Sequence, residues 1–270
     1  MSAGRSPAAT LASASVWIVD LDGVVWLAGQ PIGDVAAAVS TLRAQGTRVV
    51  FATNNSAPTT TELVARLHGA GIASVAADLA TSAAAAASLV QPGQSVKVLA
   101  EGGVLEALEA RGVKTVDEGP EDAVIVGWSR TFDFDILAAT AAAARQCGRL
   151  IGTNEDPTHP TPAGLVPGSG ALLAAVATAS GVTPEIAGKP HEAMAALMKE
   201  RFGLGDGDAS AVMVGDQPRT DGRLAERLGI PFALVDSGVT PAGAQGFDVP
   251  VAVRAPDFVS LVRACLAGGP

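Results

Sequence analysis

Val16-Trp17-Ile18-Val19-Asp20-Leu21-Asp22-Gly23-Val24-Val25-Trp26 is an almost unbroken apolar run with two carboxylates and a glycine set into it. β-Branched and aromatic residues without alternation predict a strand buried on both faces, the kind that parallel sheets contain. Such a strand does not accept acids, so Asp20 and Asp22 mark its C-terminal end. Open α/β sheets place their ligands there. Two carboxylates at that point suit a divalent cation held by oxygen, with one of them serving as a nucleophile. The plainer alternative is a strand end capped by solvated aspartates, and the rest of the chain has to decide.

The chain has 270 residues, enough for one large domain or two modest ones with a sizeable core. Its apolar share of 48% comes largely from alanine, with aromatics at only 4%, and no uncharged run is long and greasy enough to span a bilayer. A formal charge of −9 argues against nucleic acid or an anionic membrane as partner. An anionic small molecule remains compatible, provided that a metal and local donors offset the field. Cys147 and Cys265 are far apart and belong to no Cys/His cluster, which predicts reduced, packed thiols and a cytoplasmic protein. Residues 1–15 are small and polar, lack a secretory apolar region, and read as a disordered lead-in.

Past the first strand, Arg48 to Ala52 is a second buried strand ending in Thr53-Asn54-Asn55-Ser56, which repeats the design of small polar groups at a strand end. Pro58 and a capping-box spacing from Thr59 to Glu62 open a helix. Composition shifts at Gln91-Pro92-Gly93-Gln94, and a second βα series comes after it: strands near 96–99, 123–126 and 150, helices over 104–110, 134–147 and 171–179, and a Pro-, Gly- and Thr-rich loop over 153–170. Then the first pattern resumes, with Gly188-Lys189-Pro190 before a helix, a strand over 211–214 running into Gly215-Asp216, Asp221 opening a further helix, and a strand from Pro231 to Val235. The chain therefore reads as one α/β domain interrupted by another: a core of 16–81 and 183–270, and an insert of 82–182.

The strand ends now form a set. Phosphoryl transfer needs positioning and charge stabilisation above all. Mg²⁺ held by Asp20, Asp216 and a main-chain carbonyl would shield an attacking carboxylate from a doubly anionic phosphomonoester. Asp20 is the candidate nucleophile, and Asp22 is close enough to protonate the leaving alkoxide and then activate water. Thr53 offers a hydroxyl to the phosphoryl group beside main-chain N–H groups of the Asn54 turn. Lys189 is a compact cation suited to a transferring oxygen. Taken singly, Lys189 reads as a surface lysine and Asp216 and Asp221 as helix caps; placed together in this order they read as a site.

Asp20-x-Asp22-Gly23, Thr53-Asn54-Asn55-Ser56, Gly188-Lys189-Pro190 and Gly215-Asp216-x-x-x-Thr220-Asp221 resemble the four ordered motifs of the haloacid dehalogenase superfamily. An insert after Thr53 and before Lys189 is similar to the large α/β-cap (class IIA) subclass, the NagD-like and 4-nitrophenylphosphatase-like phosphatases. The resemblance runs from Val16 over nearly the whole chain and includes Thr153-Asn154-x-Asp156 and Pro167-Gly168-x-Gly170. It implies a Rossmann-like core with a parallel sheet plus an inserted smaller α/β cap. It also implies Asp20 as nucleophile, Asp22 as general acid/base, and Mg²⁺ on Asp20, the Asp22 carbonyl and Asp216, with Asp221 one step behind the metal. Gly23, Thr53, Asn54, Asn55 and Lys189 fall to phosphate binding, and the subclass allows a homodimer through the cap. Val24 stands where many superfamily members carry threonine, and Gln217-Pro218 departs from the usual fourth motif and leaves its turn open.

Arg130, Asn154, Glu155 and Asp156 lie at the ends of predicted cap strands and are candidates for reading the leaving group; His191 is given no role. The expectation is a Mg²⁺-dependent phosphatase acting on small sugar or polyol phosphates, with 4-nitrophenyl phosphate as a surrogate. The alternatives are a nucleotide or pyridoxal phosphate phosphatase, and a non-catalytic phosphate-ligand binding protein of the same fold.

Overall fold

The computed structural model describes residues 7–161, 163–208 and 210–267. They fall into two compact units. One takes its residues from Met1–Ala52, Val64–Leu79 and Met198–Pro270, the other from Thr53–Leu63 and Ala80–Leu197.

The first sheet has the spatial order Val253–Ala255, Phe232–Val235, Ala211–Gly215, Val16–Asp20, Arg48–Thr53, Leu79–Thr81. The strand Val16–Asp20 lies inside it, running parallel to Ala211–Gly215 on one side and to Arg48–Thr53 on the other. Trp17, Ile18 and Val19 are fully buried, which is why neither face of this strand alternates with polar residues. The register Val19↔Val214 and Asp20↔Ala52 brings the ends of three strands level, so that the segments leaving them emerge at one edge of the sheet.

The second sheet, in the order Glu185–Ile186, Leu150–Gly152, Ala123–Val126, Ser95–Leu99, Lys114–Thr115, is parallel throughout. Its core packs Leu99, Val124, Val126 and Leu150 against the helices Phe134–Cys147 and Ser169–Ser180, through Ala143, Ala144, Leu172, Leu173 and Val176. Small alanines on the first helix let it lie close to leucines on the second.

Three expectations change. The lead-in expected to be disordered over 1–15 is helical over Pro7–Ala12, where Leu11 is 1% exposed and the helix packs on the C-terminal helix Phe258–Ala267; residues 1–6 lie outside the described residues. The loop expected over 153–170 contains an antiparallel hairpin, Thr158–Thr161 with Gly164–Pro167. Its prolines hid it, yet a two-stranded ribbon leaves outward edges where a missing N–H costs nothing. Beyond Gly238, where no element is predicted, Val253–Ala255 closes the first sheet and Phe258–Ala267 covers it. Among the described residues no helix is long and apolar enough to cross a membrane.

Candidate active site

Two strand ends of the first sheet each add one acid. Asp20 is the last residue of its strand and only 4% exposed; Asp216 comes directly after Gly215 and is fully buried. Between Gln217 and Arg223 the backbone makes a π-helical turn, Pro218–Gly222, which carries Asp221, also fully buried. This is the turn that Gln217-Pro218 left open. One carboxylate oxygen from each of Asp20, Asp216 and Asp221 lies within 4.8 Å of the others. The resemblance puts Asp221 behind the metal; the structure brings its carboxylate into the same cluster.

Glycines make room for this cluster. A Cβ on Gly23, whose φ is +92°, would sit 2.6 Å from Asp216 Oδ2, and one on Gly238 would press still harder on the same oxygen. Gly215 is held to a hydrogen in the same way by the Asp221 carboxylate. Main-chain donors then aim the acids: Val239 N–H donates to Asp216 Oδ2 at 2.6 Å and Gln217 N–H to Asp221 Oδ2 at 3.1 Å. Ser237 Oγ donates to the Gly23 carbonyl at 2.7 Å, tying the turn after Asp22 to the segment that follows Phe232–Val235, a strand on the far side of Ala211–Gly215.

Asp22 sits in a tight turn. The Leu21 carbonyl accepts from Val25 and Trp26 at 2.9 and 3.1 Å, and Gly23 N–H donates back to the Trp26 carbonyl at 2.7 Å. The Asp22 carboxylate accepts the Trp26 indole N–H at 3.0 Å, which fixes its orientation at a half-buried position. Trp26, Ser237, Gly238 and Val239 are site residues to which sequence reading gave no role. The available signal was Asp236-Ser237-Gly238, another strand end that carries an acid and a glycine.

Three buried carboxylates this close repel one another unless a cation or protons intervene. An all-oxygen donor set without His or Cys is the chemistry that Mg²⁺ and Ca²⁺ take. The residues therefore fit a hard divalent cation.

The other candidate residues group in the second unit. Thr53 (1% exposed) accepts from Asn55 N–H at 3.0 Å, and Asn55 Oδ1 accepts from Ala57 N–H at 3.2 Å, two consecutive side-chain turns that shape the segment after the strand. Lys189 is 3% exposed, and its main chain is bonded to the Asn54 side chain. Asn154 is buried and donates to the Asn54 carbonyl at 2.7 Å, and Asp156 accepts from Asn54 Nδ2 at 3.0 Å. Gly168 and Gly170 are small because a Cβ on either would strike the Asp156 or Glu155 carbonyl. Glu155 Oε1 lies 3.4 Å from His191 Nε2, and the Glu155 side chain is 59% exposed. Arg130 is also exposed; its guanidinium lies 5.5 Å from the Trp128 ring centroid, and its main-chain N–H donates to Glu101 Oε1.

The Haloacid dehalogenase-like hydrolase family model matches residues 17–114, and a second, HAD-hydrolase-like model matches residues 186–261. Among curated relatives, the chain is 36% identical over 248 residues to a D-glycerol 3-phosphate phosphatase of Mycobacterium tuberculosis, covering 90% of this chain and 68% of the relative. It is 32% identical over 228 residues to an acid sugar phosphatase of Staphylococcus saprophyticus, covering 83% of this chain and 87% of the relative. A solved structure of a glycerol phosphate phosphatase from Mycobacterium tuberculosis, in complex with magnesium, superposes with a TM-score of 0.83 at 32% identity, over 93% of this chain and 77% of that one.

Proposed function

The chain belongs to the haloacid dehalogenase-like hydrolases and is a phosphatase, and from that premise we propose that it releases phosphate from small sugar or polyol phosphates, using Mg²⁺ and an aspartyl-phosphate on Asp20. The observation that carries the reading is the buried cluster of Asp20, Asp216 and Asp221 at the carboxyl edge of a parallel sheet. Two similar proteins named for glycerol phosphate and acid sugar substrates support the substrate class.

In this reading an Asp20 oxygen attacks phosphorus in line, and the bond from phosphorus to the leaving oxygen breaks. Asp22 gives the leaving alkoxide its proton. The same carboxylate then takes a proton from water, whose oxygen attacks phosphorus, releasing inorganic phosphate and restoring Asp20. The Trp26 indole N–H keeps Asp22 in one rotamer for both steps. Mg²⁺, held by Asp20, Asp216 and the Asp22 main-chain carbonyl with Asp221 beside them, would supply the positive charge that lets an anionic nucleophile meet an anionic ester. Thr53 and the N–H groups of the Asn54–Asn55 segment are assigned to the phosphoryl oxygens, with Gly23 allowing close approach. Lys189 is assigned to the charge that builds on phosphoryl transfer.

We assign residues 82–182 to the cap, and Arg130 and Glu155 to leaving-group contacts. A panel of phosphate esters tests the substrate class. Glycerol and hexose phosphates should give higher kcat/KM than nucleoside monophosphates or pyridoxal phosphate. The reverse order would move the assignment to nucleotides or the cofactor ester. If Arg130→Ala and Glu155→Ala leave the ranking of esters unchanged, these two residues do not select the leaving group.

A further inference from the structure

Asn54 stands one residue past the strand Arg48–Thr53, in the motif assigned to phosphate binding. Its side chain is otherwise engaged. Oδ1 accepts the Lys189 N–H at 2.8 Å, while Nδ2 donates to the Lys189 carbonyl at 3.2 Å and to Asp156 Oδ2 at 3.0 Å. One primary amide thus satisfies both main-chain groups of the lysine, much as a neighbouring strand would. Both amide hydrogens are used, and only one orientation of the amide meets all three partners.

The clamp is itself anchored. The Asn54 carbonyl accepts from Ser82 Oγ at 2.6 Å and Asn154 Nδ2 at 2.7 Å, and Asp156 N–H donates to Asn154 Oδ1 at 3.0 Å. Asn54, Asn154 and Asp156 therefore close a ring of hydrogen bonds onto Lys189. Gly188 makes the approach achievable, since a Cβ there would lie 2.5 Å from the Thr153 carbonyl and 2.6 Å from Asn54 Oδ1. Lys189 is 3% exposed, so its side chain is enclosed by its neighbours, and a shift at its Cα is carried along that side chain to the ammonium.

We infer that Asn54 is a positioning residue for Lys189, with its side chain bound to the lysine backbone and to Asp156 rather than to substrate. The inference rests on the role assigned to Lys189 above. No other residue at 54 supplies the clamp. Aspartate has the shape but turns an acceptor toward the Lys189 carbonyl and toward Asp156, glutamine is one methylene too long, and serine is too short to span both groups.

The test is steady-state hydrolysis of an aryl phosphate at saturating Mg²⁺ by Asn54→Asp, Lys189→Ala and the double variant, with melting curves to confirm folding. Asn54→Asp should lose ~10²-fold in kcat, the scale of a misplaced catalytic group. Its KM should stay within about threefold, and the double variant should be no slower than Lys189→Ala alone. A raised KM at preserved kcat would make Asn54 a substrate contact and overturn the inference. So would losses that multiply in the double variant. Full turnover by Lys189→Ala would instead contradict the lysine's own role, and the inference would fall with it. Should Asn54→Asp not fold, Asn54→Asp with Asp156→Asn restores a donor–acceptor pair between 54 and 156 while leaving the Lys189 carbonyl without its donor. That exchange should keep the low kcat, and recovery of wild-type kcat would overturn the inference.

Discussion

A methyl group is the smallest change that separates the metal cluster from mere acidity. Gly238 and Gly23 both face Asp216 Oδ2, so Gly238→Ala has to displace the carboxylate that Val239 N–H aims. Gly238→Ala should therefore weaken Mg²⁺ activation by ~10-fold or more, the range seen when a group orienting a ligand is disturbed. A Mg²⁺ titration of kcat checks it, and an unchanged half-saturation would show that Asp216 is not a ligand. Cys265 makes a contrasting case. It is fully buried, and burial pushes its thiol up to about 11. From the ordinary thiol value of about 8.5 up to that point, the folded chain holds a proton that the unfolded chain has lost. The contribution of Cys265 to stability is therefore complete below that range and disappears as pH rises through it. Cys265→Ala should flatten the fall in melting temperature over the same window, and native protein at pH 8 should be alkylated at half-buried Cys147 well before Cys265.

Elements were legible where one physical cause dominated. The strand Val16–Asp20 announced itself because burial on both faces leaves no polar position until the acids at its end. The helix expected over 134–147 has those bounds, and the structure shows what sets them: the Asp133 side chain caps Ile136 N–H, and Gly148 ends the helix in a left-handed conformation. Shorter elements hid. Val253–Ala255 has three residues and owes its existence to the edge offered by Phe232–Val235. The π-helical turn at Pro218–Gly222 arises from packing Asp221 against Gly215, a contact that no local spacing reveals. Trp17 and Phe258 meet edge to face at 6.2 Å, joining the first strand to the last helix. Phe258→Ala should cost about 3–5 kcal/mol of stability, since it empties a fully buried ring site, and denaturant melts measure it. A loss below ~1 kcal/mol would mean that the C-terminal helix adds little to the core.

At the scale of the molecule, the four motifs named candidate residues, and the structure shows which of them lie together and how those are held. Asp20 and Asp216 could be chosen as candidates because acids directly after buried strands have few structural uses, and Asp221, in the turn beyond, through its place in the fourth motif. The glycines behind Asp216, the Asp22–Trp26 bond and the Asn54 clamp could not, since each depends on contacts that spacing along the chain does not reveal. Repulsion within the acid cluster has a global consequence. Without metal the cluster opposes folding, so Mg²⁺ should raise the melting temperature in a concentration-dependent way. Asp216→Asn should raise the metal-free melting temperature and abolish the Mg²⁺ response; a metal-free protein as stable as the Mg²⁺ form would deny that the cluster binds the ion. The central claim is that Asp20 carries the phosphoryl group in a metal-dependent reaction. Its most direct measurement is hydrolysis of an aryl phosphate by wild type and by Asp20→Asn, each with Mg²⁺ and with chelator. Turnover only by wild type with Mg²⁺ is the predicted result, and turnover that survives in Asp20→Asn would contradict the account.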